Sequence, residues 1–397
     1  MESGPKGARF TMKLRSLLLA LAASTAFAAM PSLASALPSD FDTCSNKAAA
    51  PDDLIAACTR LIESGTLSAE NLPIAYVARG YGYQEKREYT LAAADDSRSI
   101  VLSPKHAVAY LNRGYNYIGL GRYRDAISDE TTAIQIGTLT GKALARAYNN
   151  RADAHLAIHE YAQAIADATA SMRIVPNYAT PILVRGEAYM RELRPTQAYT
   201  DLSLALRLDP LLSSAFAYRS TVENELSRYP AALADITHAI SLAPTDKFYH
   251  VLRSYIYFYL GKFALAIPEF RSTIAVDPAY RSLWLYLAQA HLKQNGATEL
   301  AHNTITLAAA KWPSPIIAFY LGHATRSQVL AAAALGGAKA RPSQECETSF
   351  YLGEWELLHG KTSAARIDLT HAAKTCPLNF IEHTGAKAEL SRMHKPI

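Results

Sequence analysis

One shift dominates when the chain is compared with itself, and it is 34 residues long. A small residue returns at Gly80, Gly114, Ala152, Gly186, Ser220, Ser254 and Ala288, always 34 apart except for one step of 38 across an extra joint around Thr138–Lys142. A second small residue follows in each unit, at Ala92, Ala126, Ala164, Ala198, Ala232, Ala266 and Ala301. Prolines close the units at Pro104, Pro176, Pro210, Pro244, Pro278 and Pro313. This is the pattern of a helix–turn–helix unit. Small residues let two antiparallel helices approach, and the proline stops the second helix and turns the chain onward. Aromatic residues recur at three places per unit, as in Tyr76, Tyr83 and Tyr89 or Tyr110, Tyr117 and Tyr123, and fill the space between one pair and the next. Stacked units bury one continuous core, so the expected fold is an all-α solenoid.

The segment Ala109–Ile134, AYLNRGYNYIGLGRYRDAISDETTAI, resembles the tetratricopeptide repeat (TPR) pattern. The resemblance extends over seven units and implies a right-handed α-solenoid of about nine TPR hairpins with an N-terminal capping helix. The expected organisation is a leader over 1–36, a capping segment over 37–70, a seven-unit array over 71–313 and an irregular TPR pair with a terminal helix over 314–397. Pro51–Gly65 reads as the capping helix. Phe319–Gly322 and Phe350–Gly353 are read as each opening a late unit, with a loop over Gly336–Ser343 between them. The leader, the segment IAACTRLIESG and the final SFYLGEWELLHG…CP unit together resemble exported TPR proteins of alphaproteobacteria. More distantly they resemble the TPR lipoprotein that is an adaptor for peptidoglycan hydrolases, although no lipid-accepting cysteine follows the apolar run here.

Lys13 and Arg15 precede the apolar run Leu17–Met30, and Ala34-Ser35-Ala36 supplies small residues for cleavage. With Met12 as the start, this reads as an export signal, giving a periplasmic or secreted protein with no membrane span once the signal is removed. Retention of the segment as an anchor is the alternative, opposed by Pro31 and Pro38. Of 40 basic and 35 acidic residues, 36 and 34 lie beyond the leader. That balance lacks the basic footprint of a nucleic-acid binder. The tyrosines fit core packing better than base stacking: eleven of the 23 occupy the repeated packing places.

Chemical motifs are absent or fail on spacing. Gly360-Lys361-Thr362 has Trp355 where a phosphate loop needs its first glycine. His155 and His159 are four apart, but no third metal ligand accompanies them. No HExxH or GxSxG occurs. The expectation is a non-enzymatic protein with no cofactor and no metal.

Three sets of residues remain. Six units place an arginine before the small residue and an acid sixteen residues later: Arg79 and Asp95, Arg113 and Asp129, Arg151 and Asp167, Arg185 and Asp201, Arg219 and Asp235, Arg253 and Glu269. Each arginine lies at the edge of the face that packs on the partner helix, so an intra-unit salt-bridge ladder is expected. An arginine-lined anion groove is the alternative. The four cysteines are expected to pair as Cys44–Cys58 and Cys346–Cys376, because each pair falls at adjacent ends of antiparallel segments in an exported chain.

The third set faces the inner groove, opposite the packing aromatics. It comprises Tyr81, Leu111 and Tyr115 in the first units, then Asn149, Asp153, Glu187, Arg191, Asn224 and Glu225, then Phe248, Val251, Tyr255, Phe258 and Tyr259, with Tyr286 in the next unit. Asn112 and Asn150 stand beside this face, where family members hold a peptide backbone with asparagine amides. Tyr255 and Phe258 either fill the tight inner curve or form an aromatic anchor pocket. The expected function is a protein- or peptide-binding scaffold in the bacterial cell envelope. The alternative is an adaptor for a folded envelope enzyme or secretion component, and homodimerisation through the terminal units stays open.

Overall fold

The structure, a computed structural model, describes residues 38–308 and 311–394. The expected leader over 1–36 lies outside these residues. Among the described residues there are twenty-one α-helices and no strand. None is long and apolar enough to cross a membrane. The chain divides into two compact units, residues 38–192 and 193–394 among those described.

The N-terminal unit opens with α1 (Pro38–Ser45) and α2 (Pro51–Glu63), followed by α3 (Asn71–Glu85), α4 (Tyr89–Leu102), α5 (Ala107–Gly119), α6 (Tyr123–Ile136), α7 (Gly141–Ala157), α8 (Tyr161–Ile174) and α9 (Ala179–Arg191). Helices α3 to α8 form three hairpins, each packed on the next. The repeat alanines sit where helices approach: Ala92, Ala126, Ala152 and Ala164 are fully buried. Gly80 shows why the first helix needs a small residue, since a Cβ there would lie 3.2 Å from the carbonyl oxygen of Ala92. The four extra residues of the long repeat are absorbed in two ways. Gly137 ends α6 in the left-handed region at φ 77°, and α7 is lengthened to 17 residues. A disulfide joins Cys44 in α1 to Cys58 in α2, with 4.9 Å between the Cα atoms.

The hairpin turn has its own periodicity. Arg87, Gly121, His159, Leu193, Ser227 and Gly261 follow the repeat, and all have φ between 57° and 71°. A left-handed residue is needed to reverse the chain in so few residues. Only two of these six positions hold glycine, the residue that adopts that conformation freely.

The C-terminal unit continues with α10 (Pro195–Leu208), α11 (Ser213–Glu225), α12 (Tyr229–Leu242), α13 (Lys247–Tyr259), α14 (Phe263–Ser272), α15 (Pro278–His291), α16 (Ala297–Asn303), α17 (Ser314–Tyr320), α18 (Arg326–Ala334), α19 (Arg341–Leu358), α20 (Thr362–Thr375) and α21 (Ile381–Met393). Regular hairpins persist to α14. The next helices are short, with seven residues in α16 and α17 and nine in α18. Phe319 and Tyr320 end α17 rather than open a unit, and Gly322 is a turn residue at φ 77°. Helix α19 begins at Arg341, inside the expected loop.

Because α16 to α18 are too short to separate their neighbours, α15 packs directly on α19, and α21 reaches α13. Trp284 of α15 is fully buried and stacks on Phe350 of α19 with ring centroids 5.0 Å apart. Gly385 of α21 fits against both rings, where a Cβ would come within 2.7 Å of Trp284 and 2.9 Å of Phe350. The second disulfide, Cys346–Cys376, ties α19 to the end of α20.

Candidate functional site

The arginine series forms a structural ladder. Arg79, Arg113, Arg151 and Arg219 each donate from Nε and Nη2 to both carboxylate oxygens of Asp95, Asp129, Asp167 and Asp235, at 2.6–2.9 Å. Arg253 pairs with Glu269, which also meets His250. Arg185 and Asp201 fall in different units. The guanidinium Nη1 makes a further bond that the repeat pattern does not predict. It donates to a hydroxyl on the preceding helix: Thr59 for Arg79, Ser97 for Arg113, Thr131 for Arg151, Thr169 for Arg185 and Ser203 for Arg219. Arg79, Arg113, Arg151 and Arg219 thus each tie their own hairpin to the helix before it, and the carboxylate and hydroxyl that occupy them keep them from lining an anion groove.

The inner face of the N-terminal unit is built from one column of α3, α5, α7 and α9. The residue after each small position falls in that column: Tyr81, Tyr115, Asp153 and Glu187. Tyr115 is 38% exposed and Tyr81 is half-buried, with Lys47 over its ring. Burial, then the neighbouring charge of Glu187, pushes the Asp153 carboxyl up to about 6. Arg191 donates to Glu187 at 3.1 Å. Arg146, two turns before Asp153, carries a positive field toward Tyr81, Tyr115 and Glu130. It makes no hydrogen bond or ion pair among the described residues. Nothing in the earlier groove set includes Arg146. A signal existed: its column otherwise holds Ile74, Val108, Thr180, Ser214 and Phe248, so it is the one charge there.

The asparagines divide between two roles. Asn150 donates to Glu130 at 2.8 Å, and Asn116 donates to Asp96 at 2.9 Å, both inside the packed interior. Burial raises both acids well above the usual carboxylate range. Asn150 is therefore a core residue and not a rung for a peptide. Asn112 and Asn149 are buried, with the Oδ1 of Asn149 lacking a donor among the described residues. Leu111 is 1% exposed and packs with Ala133 and Ala147.

No protein-family model matches the chain. Among solved structures it is similar to YrrB, a TPR protein with an unusual peptide-binding site, at 17% identity over 49% of this chain and 96% of that one, TM-score 0.38. It is similar to PilF of Pseudomonas aeruginosa at 16% identity over 56% of this chain and 98% of that one, TM-score 0.48. A tetratricopeptide repeat protein from Parabacteroides merdae ATCC 43184 aligns at 18% identity over 63% and 98%, TM-score 0.44. These likenesses concern fold alone. The deciding observation is internal: helix hairpins recur at the 34-residue step, with small residues at both helix contacts and a left-handed turn between them. The chain has the tetratricopeptide-repeat fold.

In the later TPR hairpins the inner face is closed. Val251, Tyr255, Phe258 and Tyr259 are each 5% exposed or less, in one cluster with Trp284, Phe270 and Phe350. Tyr255 meets Trp284 edge-on at 5.0 Å, and Arg281 lies over its other side at 4.5 Å. Helix α21 covers this face. Tyr259 donates to the carbonyl of Ile381, and Arg392 donates to the carbonyls of Phe258 and Tyr259. Lys387 donates to the carbonyl of Glu225. The expected open aromatic anchor is therefore corrected to a core: the rings of Tyr255 and Phe258 fill the interior, as the simpler reading had it. Phe248 alone of that set stays exposed, at 38%, while Tyr286 packs edge-on against Tyr320. Asn224 is half-buried, its Oδ1 without a donor.

His155 and His159 do not converge. His155 meets Glu160 at 2.7 Å, and His159 meets the Tyr161 hydroxyl at 2.9 Å.

Proposed function

We propose that this TPR protein is a non-enzymatic scaffold that holds an extended peptide segment on the inner face of α3, α5, α7 and α9. One observation carries the reading. That face presents Tyr115 and the unpaired Arg146 within electrostatic reach of each other, with Asp153 and Glu187 farther along, whereas the equivalent face of α13 is filled by α21. Tyrosine and arginine dominate binding energy where they are covered on association. The fitting ligand has an apolar or aromatic residue for Tyr81 and Tyr115, a carboxylate or carbonyl for Arg146, and a basic residue for the acids.

The same proposal places the protein in the bacterial cell envelope. Two disulfides with no free cysteine among the described residues suit an oxidising compartment, in keeping with the basic and apolar leader. A folded envelope enzyme is the other class of client, bound by a segment it displays.

The test is capture from periplasmic extract on the immobilised chain lacking residues 1–36, compared with a Tyr115→Ala, Arg146→Ala double variant. Clients held by the native chain and lost by the folded variant support the reading. Identical client sets on both remove the face from consideration.

A further inference from the structure

Three side chains from three different helices meet inside the C-terminal unit: His291 at the end of α15, Glu354 in α19 and Glu389 in α21. They stand 63 and 35 residues apart in sequence, and no motif joins them. One ligand atom of each lies within 4.8 Å of the others. The Nε2 of His291 is 3.1 Å from Glu354 Oε2 and 3.6 Å from Glu389 Oε1. A tetrahedral divalent ion bound at about 2.0–2.1 Å places its donor atoms about 3.3 Å apart, and the two observed separations bracket that value.

The two carboxylates are buried, Glu354 at 0% and Glu389 at 1% exposure. The Oε1 atom of Glu354 lacks a hydrogen-bond donor among the described residues, while Glu389 Oε1 meets Arg392. A buried polar atom left in this way calls for an ion or water. The surroundings favour an ion. His291 is held flat against Phe263 at 4.1 Å, with Phe258 edge-on, so the pocket wall is apolar. Arg392 donates from Nε to Glu389 Oε2 at 3.1 Å and also pairs with Oε1. Ligating carboxylates are commonly oriented by such an outer partner. Arg392 balances one of the two buried carboxylates, and the other calls for a second positive charge. A divalent cation among the three side chains supplies it and meets oxygens of both.

We propose that His291, Glu354 and Glu389 bind one divalent cation of the zinc class, which cross-links α21 to α15 and α19. The function is structural: the ion fastens the helix that fills the inner face of α13.

The test uses the full disulfide-bonded chain, stripped with a chelator and titrated with Zn2+ by calorimetry. One saturable site per chain is expected, with a raised Tm and slower amide exchange in α15, α19 and α21. His291→Asn and Glu354→Gln are expected to weaken uptake at least about 100-fold, the upper end for loss of even an outer partner. His371→Asn, an exposed histidine, leaves it unchanged. Absence of stoichiometric uptake by the native chain overturns the proposal. So does uptake that leaves exchange in those three helices unaltered, a readout that holds even if a variant fails to fold. A Tm that does not respond to Zn2+ overturns it equally.

Discussion

Replacing Asp129 with alanine removes one rung of the arginine ladder and leaves Arg113 behind in the interior. The side chains of this pair are 8% and 18% exposed, and two bonds of 2.7 and 2.8 Å join them. Breaking a buried pair from one side costs about 3–5 kcal/mol, because a charge is stranded, while a solvated pair is worth about 0.2–1. Arg113 keeps its bond to Ser97 and its contacts with the rings of Tyr110 and Tyr117. A loss of about 3 kcal/mol, at the low end of the buried range, is expected. Repeat arrays open piecewise, so the assay is native-state hydrogen exchange of amides in α5 and α6, backed by urea unfolding. Asp125→Ala is the control, since Asp125 pairs with Arg122 on the surface, both about half exposed; a change below about 1 kcal/mol is expected there. The apolar double variant Arg113→Met, Asp129→Leu should recover most of the loss. If Asp129→Ala alone shifts local opening by less than about 1 kcal/mol, the rungs behave as surface pairs and the argument from burial fails.

Three further outcomes follow from the same structure. Phe258→Ala, which empties a fully buried site beside Trp284, should lower stability by about 3–5 kcal/mol in urea unfolding. Asp153 is neutral in the folded chain up to about pH 6 but ionises near pH 3.9 when unfolded. Its contribution is therefore complete below the unfolded value and is lost as pH rises through about 6; Asp153→Asn should flatten that part of the stability–pH curve. Reduction of Cys346–Cys376, which closes a 30-residue separation, should cost the α19–α20 hairpin about 3–4 kcal/mol of local stability, measured by proteolysis with and without reductant.

The regular hairpins were legible because one physical constraint, close approach of two helices, repeats at a fixed step and leaves small residues at Gly80, Gly114 and Ala152. The rungs were legible for the same reason, since arginine and acid keep a constant separation on two facing helices. Four of their hydroxyl partners also repeat, at Ser97, Thr131, Thr169 and Ser203, with Thr59 one turn out of register, and that column gives little signal because serine and threonine are unremarkable on a helix. The closure of the later hairpins left no such trace. It arises where the period fails: α16, α17 and α18 are too short to hold α15 away from α19, so α21 reaches the inner face of α13. Tyr255, Phe258 and Tyr259 occupy groove positions by register, yet they are core by tertiary contact. Residues brought together this way, such as His291, Glu354 and Glu389, have no common spacing to find.

The claim that clients lie along the inner face of the N-terminal unit is tested most directly by placing a photo-crosslinking amino acid at single sites in the living cell. Tyr115 and Glu187 report on that face, and Ile367, an exposed residue of α20 at 71%, reports on a surface outside it. Crosslinks to a discrete partner from positions 115 and 187, absent at 367 and weakened when Arg146→Ala is added to the Glu187 probe, are the result expected. Partners captured at 367 while 115 and 187 stay silent would contradict the account and move the binding surface to the other unit.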